Sequence, residues 1–233
     1  MISVIIPLYN QAKNLPSCLE SILIQTIPEL EVIIVDDGSS DQSRAVAESY
    51  KKKFGEKDIS FRLLNHDMNK GAPAARNTGF RSSKGEYLFF CDADVVLSQE
   101  ALSSMLNALN SNPKASFAYS SFWWGRKLFK LFPFDREKLE EFPYINMMSL
   151  MRRECFPGFD ESLKKFQDWD LWLTITKGGK IGVWIGRPLY RVRPGGTMSD
   201  WLPGFAYRLF PFLPAVKKYK KAMIIIKNKH GLA

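Results

Sequence analysis

The chain has 233 residues, 45% of them hydrophobic, and a formal net charge of +9. That length is enough to bury one large core, and the composition excludes a disordered chain, which predicts one domain with at most an appendage. The charge is uneven: residues 201–233 hold Arg208, Lys217, Lys218, Lys220, Lys221, Lys227 and Lys229 with no Asp or Glu, which points to an anionic partner or to a solvated face, while the remaining body is close to neutral.

In chain order, short β-branched runs alternate with longer amphipathic segments, the pattern of an α/β sheet with parallel strands flanked by helices. Strands are predicted over residues 3–7, 31–36, 59–64 and 86–91. Between them, a helix over 15–25 places Leu15, Leu19, Ile22 and Leu23 on one face, with Asn14 before Pro16 as its start. A second helix begins near Ser40, where Ser39, Ser40 and Asp41 offer capping oxygens; a third follows Gly71, and a fourth spans 99–109. Residues 117–144 are crowded with aromatics and interrupted by Pro133 and Pro143, which predicts a long, partly ordered excursion. Residues 144–152 are expected to re-enter the sheet, 168–176 to form a helix, and 180–185 and 189–192 to form two short strands. From 201 to 226, aromatic and aliphatic residues alternate with lysines, as in an amphipathic helix on an anionic membrane surface; the alternative is a tail packed on the core with lysines outward.

No apolar run reaches the roughly 18 residues that a membrane-spanning helix needs. The run Ile2-Ser3-Val4-Ile5-Ile6 is too short for a secretory signal and lacks its basic start, so a cytoplasmic chain is expected, with peripheral attachment to the inner membrane face through the tail. Cys18, Cys91 and Cys155 are odd in number and widely spaced, which fits reduced, buried thiols.

Two acidic clusters, Asp36-Asp37-Gly38-Ser39 and Asp92-Ala93-Asp94, each follow an apolar strand. Ligands of open α/β sheets bind beyond the carboxyl ends of the strands, so both clusters should open onto one crevice. Spaced two apart on an extended segment, Asp92 and Asp94 can face one hard cation, which prefers oxygen ligands and completes its shell with substrate phosphates. Caps of turns and helices are the plainer role for the same acids.

The segments Val4-Ile5-Ile6-Pro7-Leu8-Tyr9-Asn10, Ile33-Ile34-Val35-Asp36-Asp37-Gly38-Ser39, Asn69-Lys70-Gly71, Ala75-Arg76-Asn77-Thr78-Gly79 and Cys91-Asp92-Ala93-Asp94 resemble, in order, the signatures of family 2 glycosyltransferases. Arg152-Arg153, Gly158-Phe159-Asp160-Glu161 and Gln167-Asp168-Trp169-Asp170-Leu171-Trp172 resemble that family's acceptor-side motif, so the similarity runs from residue 2 to about 195. The resemblance implies a GT-A fold, a Rossmann-like, mostly parallel mixed sheet flanked by helices. It implies a catalytic domain over 1–200, with a nucleotide-sugar half at 1–95 and an acceptor half at 115–195, followed by a C-terminal helical extension over 201–233. Pro7 and Tyr9 would line the base pocket, Asp37 would bond the nucleobase, and Asp36 would support that loop. Arg76 would face the donor phosphate or sugar, Asp92 the ribose or sugar, and Asp94, with Asp92, would hold Mn2+ or Mg2+. Asp168 would be the base of an inverting transfer from a nucleotide-diphosphate sugar, by default a UDP-sugar, to a hydroxyl of a glycan or lipid-linked acceptor. Asp170 is the second candidate for that role.

Two departures accompany the resemblance. Gln167 stands where the family usually has Glu, and Tyr190-Arg191-Val192-Arg193-Pro194 stands where a His is often found. Arginine ligates no cation but pairs with phosphate, so Arg191 and Arg193 become candidates for the diphosphate. His66 and His230 have no metal-ligand spacing and are assigned no chemistry. A processive polysaccharide synthase would need membrane helices and a Gln-x-x-Arg-Trp motif, and a sugar nucleotidyltransferase a Gly-rich, Arg-containing loop in place of Leu8-Tyr9-Asn10-Gln11. A catalytically weakened donor-binding protein and a nucleic-acid-binding module using the basic tail are the remaining alternatives, although no nucleic-acid partner is expected.

Overall fold

The computed structural model describes residues 1–194, 210 and 212–232. Four strands open the chain: β1 (Ile2–Leu8), β2 (Leu30–Asp36), β3 (Ser60–Asn65) and β4 (Tyr87–Phe90). They lie parallel in the order β3-β2-β1-β4. β1 and β2 are buried along nearly their whole length, and so read as unbroken β-branched runs, as a sheet covered on both faces requires. The connecting helices are α1 (Leu15–Leu23), α2 (Ser43–Ser49), α3 (Lys51–Gly55) and α4 (Ala72–Ser82). α4 approaches the sheet very closely at Gly79, where a Cβ would stand 2.3 Å from the Ile5 side chain and 3.4 Å from Val35. Because the four strands run the same way, the segments leaving Leu8, Asp36, Asn65 and Phe90 all emerge at one edge.

The second half contains β5 (Val95–Leu97), α5 (Ala101–Ser111), β6 (Ala115–Trp124), β7 (Lys127–Phe129), α6 (Arg136–Glu141), β8 (Leu150–Arg152), α7 (Gln167–Lys177) and β9 (Ile181–Val192). The sheet continues β4-β8-β6-β9-β5, with β7 paired to β6. β8 runs antiparallel to both β4 and β6, whereas β6 and β9 are parallel. The architecture is thus the expected mixed α/β sheet flanked by helices.

Two expectations for this half are corrected. The aromatic stretch 117–144 is no loose excursion: its first part is β6, an interior strand, followed by a hairpin to β7 and by α6. Its rings are packing groups, with Phe117 4.5 Å from Trp172, Phe122 5.0 Å from Phe129 and Phe132 4.5 Å from Tyr144 between centroids. Burying such a side chain is worth about 1.5–3 kcal/mol. A strand buried on both faces shows no alternation, which is why its pattern misleads. The two strands expected at 180–185 and 189–192 are one, β9, whose pairing with β6 shifts register between Ser120 and Ser121, opposite Ile185 and Pro188.

A last helix, α8 (Pro214–His230), packs on the core. Val216 and Ile226 are fully buried and Met223 packs on the same cluster, at helical spacing, while Lys217, Lys218, Lys220, Lys221, Ile224 and Ile225 face outward. The tail therefore docks on the body through one face. The part of the predicted amphipathic helix over 201–209 and residue 211 lies outside the described residues. Among the described residues no helix is long and apolar enough to cross a membrane.

Candidate active site

The loops after β1, β2 and β3 are laced together by side chains. Asp36 Oδ1 accepts the N–H of Ser39 at 3.0 Å, closing its own turn. Asp37 is 2% exposed: its N–H donates to Leu8 O, its Oδ1 accepts from Lys70 N (2.9 Å) and His66 Nδ1 (2.7 Å), and its Oδ2 accepts from Gly71 N (2.7 Å). The chain can come this close because Gly38 has φ +73 and no Cβ, which would lie 2.9 Å from Asn69 N. Asn10, at φ 51, accepts the N–H groups of Ser40 (2.9 Å) and Asp41 (3.3 Å), while its own N–H donates to Ser39 Oγ. Tyr9 stands 38% exposed at the rim beside the half-buried Pro7.

His66, given no role from sequence, is part of this assembly. Its Nε2 meets Thr78 Oγ1 at 3.0 Å, and that oxygen accepts Arg81 Nη2 at 2.9 Å. His66 thereby ties Asp37 after β2 to Thr78 of α4 through its two ring nitrogens. Its position immediately after β3, on the edge that β2 shares, is the signal that would have found it.

Beyond β4, Asp92 Oδ1 accepts from Arg76 Nη2 at 2.7 Å. Arg76 is 2% exposed on α4, its Nη1 donates to Gln167 Oε1 at 2.9 Å, and its Nε is buried with no partner among the described residues. Gln167 in turn donates to Leu163 O at 3.0 Å, so both ends of the amide that replaces the usual Glu are bonded. Asp94 accepts no hydrogen bond from another side chain among the described residues, and its carboxyl is pushed up to about 7, first by burial and then by the negative charge of Asp92.

Further along, Asn77 of α4 holds the loop before α7: its Nδ2 donates to Phe159 O (2.9 Å) and Glu161 Oε1 (2.8 Å), and its Oδ1 accepts Phe159 N (2.9 Å). Asp168 sits in the first turn of α7 with Oδ1 accepting the N–H of Trp169 at 2.9 Å. Burial raises its pKa, partly offset by that N–H and by the Arg76 charge, while Asp92 adds to the rise. Asp170 points elsewhere, into Lys229 (2.9 Å) and His230 (2.8 Å) of α8. Arg193 is drawn to the acidic edge, with its N–H on Asp94 O (3.0 Å) and Nη2 on Ser17 Oγ (2.8 Å). Arg191 is not: it bonds Gly125 O and lies over the Trp123 ring at 5.0 Å. Cys18 and Cys91 are buried free thiols beneath Asp92, 3.8 Å apart, and the Cys91 thiol is pushed up by its contact with Cys18 and by burial.

The residues fit a divalent cation in one specific way. Asp94, with no side-chain donor among the described residues, and Asp92, whose Oδ1 is held by Arg76, together suit a hard ion. No cluster of three or more His, Cys, Asp or Glu ligands occurs among the described residues, so a phosphorylated ligand and water would have to complete the shell.

A parallel half-sheet with acids at its carboxyl edge, joined through an antiparallel strand to a half bearing a further acid, is the architecture of a GT-A nucleotide-sugar transferase. Two solved structures share it: Staphylococcus aureus TarS 1–349 in complex with UDP-GlcNAc (TM-score 0.73, 19% identity, 98% of this chain and 72% of that one) and the Pyrobaculum calidifontis mannosyltransferase PcManGT in complex with GDP-Man and Mn2+ (TM-score 0.71, 17% identity, 99% and 69%). The Glycosyl transferase family 2 model matches residues 3–162, and the chain belongs to that family. It is 34% identical to the uncharacterized glycosyltransferase EpsJ of Bacillus subtilis over all of this chain and 71% of that protein. It is 37% identical to the poly(ribitol-phosphate) beta-glucosyltransferase of Bacillus spizizenii over 48% of this chain, which is only 17% of that protein's length. Against an uncharacterized glycosyltransferase of Haemophilus influenzae, 36% identical over 51% of this chain, the match spans 38% of the relative.

Proposed function

We propose that the protein is an inverting glycosyltransferase that moves a sugar from a UDP-sugar to a hydroxyl of a glycan or lipid-linked acceptor. The observation that carries this reading is the bridge made by Arg76: one guanidinium bonds Asp92 at the donor edge and Gln167, the residue before Asp168, at the acceptor edge. One side chain thereby ties Asp92 to the first turn of α7, where the candidate base Asp168 stands, which keeps the two substrates of a single displacement side by side.

In this reading the base stacks by Tyr9 and Pro7, and Asp37 meets it through Oδ2, whose second lone pair is left after Gly71 N. Asp36 and His66 hold the loop. Asp92 orients the ribose or sugar against Arg76, and Arg193 pairs with diphosphate oxygens from beside Asp94. Asp94 and Asp92 would hold Mg2+ or Mn2+, which supplies Lewis-acid stabilisation of the charge on the departing diphosphate. Asp168 accepts the acceptor hydroxyl proton as that oxygen bonds the anomeric carbon and the bond from that carbon to the diphosphate breaks on the opposite face. Its raised pKa makes it a better proton acceptor than an exposed Asp.

UDP is favoured by a pocket built on backbone and one Asp, and UDP-GlcNAc is the ligand of the TarS structure. The outward face of α8, four lysines with Ile224 (56% exposed) and Ile225 (49% exposed), suits an anionic membrane surface where a lipid-linked acceptor would lie. The test is a thermal-shift panel of UDP-, GDP- and dTDP-sugars with Mn2+ or Mg2+, followed by donor turnover for wild type and Asp168→Asn. The expected result is stabilisation by one UDP-sugar and turnover reduced about 10²–10⁴-fold in the variant. Binding with no turnover in wild type would instead mark a donor-binding protein, the reading that Gln167 keeps open.

A further inference from the structure

The first turn of α7 is held in an unusual way. The residue before it, Phe166, has φ 59 and ψ 33, a left-handed conformation that a bulky non-Gly residue rarely adopts. Such a conformation is strained and persists only where the surroundings over-determine it. Here the surroundings are α8. Tyr219 packs edge-on against the Phe166 ring at 5.0 Å, and Phe166 packs in the same way on Trp169 at 5.7 Å. Further along α8, Lys229 Nζ donates to Asp160 Oδ2 (2.6 Å) and Asp170 Oδ2 (2.9 Å), and His230 Nε2 meets Asp170 Oδ1 at 2.8 Å. Asp170 is 5% exposed, so these contacts are enclosed. α8 thus touches the strained residue before α7, the first turn of α7 and the loop before it, the segments on either side of Gln167 and Asp168.

We infer that α8 is a clamp whose Tyr219, Lys229 and His230 impose the left-handed turn at Phe166 and so fix the direction in which Asp168 projects; the three are positioning residues. A tail that merely covers apolar surface would need Val216, Met223 and Ile226, already on its inner face, but no cation pair on a buried carboxylate. That Asp168 is the base belongs to the function proposed above; the clamp itself is testable without it.

Hydrogen exchange on the full chain is the experiment, with wild type, Lys229→Met/His230→Leu, Tyr219→Ala and Lys229→Arg compared, and calorimetric titration of UDP with Mn2+ on each. The expected result is exchange at least about tenfold faster for amides of 158–171 in both Tyr219→Ala and the double variant, with β1, β2 and β4 protected as in wild type, UDP affinity unchanged, and near-normal protection in Lys229→Arg. Unchanged protection at 158–171 overturns the clamp, as does a loss spread evenly over the sheet. If the double variant does not fold, Tyr219→Ala alone decides by the same two patterns.

Discussion

Glu31 and Asp94 are carboxylates at opposite ends of the same parallel half-sheet, and their surroundings differ sharply. Glu31, 3% exposed at the start of β2, receives Ser3 Oγ (2.6 Å), Lys84 N (2.6 Å), Gly85 N (3.1 Å) and Arg62 Nη2 (2.5 Å). Burial raises its pKa, but these donors and the Arg62 charge outweigh that and hold it below the ordinary value. Asp94, just past β4, receives no side-chain donor among the described residues and is pushed up to about 7 by burial and by Asp92, against a backbone N–H of its own. One acid is completed by its own chain; in the function proposed above the other is completed by a bound cation. Burial therefore does not separate a structural acid from a functional one, whereas the count of donors that satisfy it does.

Breaking this contrast should have opposite effects at its two ends. Asp94→Asn should cut transfer or donor hydrolysis on the order of 10²–10³-fold, with a thermal midpoint equal to or above wild type, because it removes a half-buried charge that lacks a partner. Glu31→Gln should leave turnover near wild type and cost about 1–3 kcal/mol in urea unfolding, because Arg62 and the surrounding donors lose their charged acceptor. Loss of activity without loss of affinity for metal in the first variant, or an unchanged urea midpoint in the second, would count against the distinction.

Smaller effects sharpen it. His66→Phe removes a donor from Asp37 and should weaken UDP binding by roughly 0.5–1.5 kcal/mol, a factor of about two to twelve, read by calorimetry. Asp160 is held down to about 2, chiefly by Lys229 with Ser162 assisting. Because its folded pKa lies below the unfolded one, its contribution is fully present above about 4 and is lost as pH falls toward 2. Being one-third exposed, it should be worth at most about 1 kcal/mol. The stability gap between wild type and Asp160→Asn should therefore close across that interval in urea titrations at stepped pH.

The first half was legible from sequence because β1 and β2 are unbroken β-branched runs and because acids follow β2 and β4, at Asp36-Asp37 and at Asp92 and Asp94. The order Asp36, Asp37, Arg76, Asp92 survives folding as one connected edge. The second half was less legible, since β6 is buried on both faces by aromatics and shows no period, and β9 hides its register shift behind Gly186 and Pro188. His66 was missed because its partner Asp37 lies on another strand and only β2–β3 pairing brings them together. Asp170 and His230 meet for a similar reason, across the whole span from α7 to α8.

The central claim is that Asp94, incomplete on its own, is completed by a cation carrying a nucleotide diphosphate. Calorimetric titration of UDP into wild type and Asp94→Asn, with and without Mn2+, tests it most directly. The account predicts that Mn2+ tightens UDP binding to wild type by about tenfold or more, roughly 1.4 kcal/mol, and leaves Asp94→Asn unaffected. UDP binding to wild type that is equally tight without the metal, or an equal gain from Mn2+ in the variant, would contradict it.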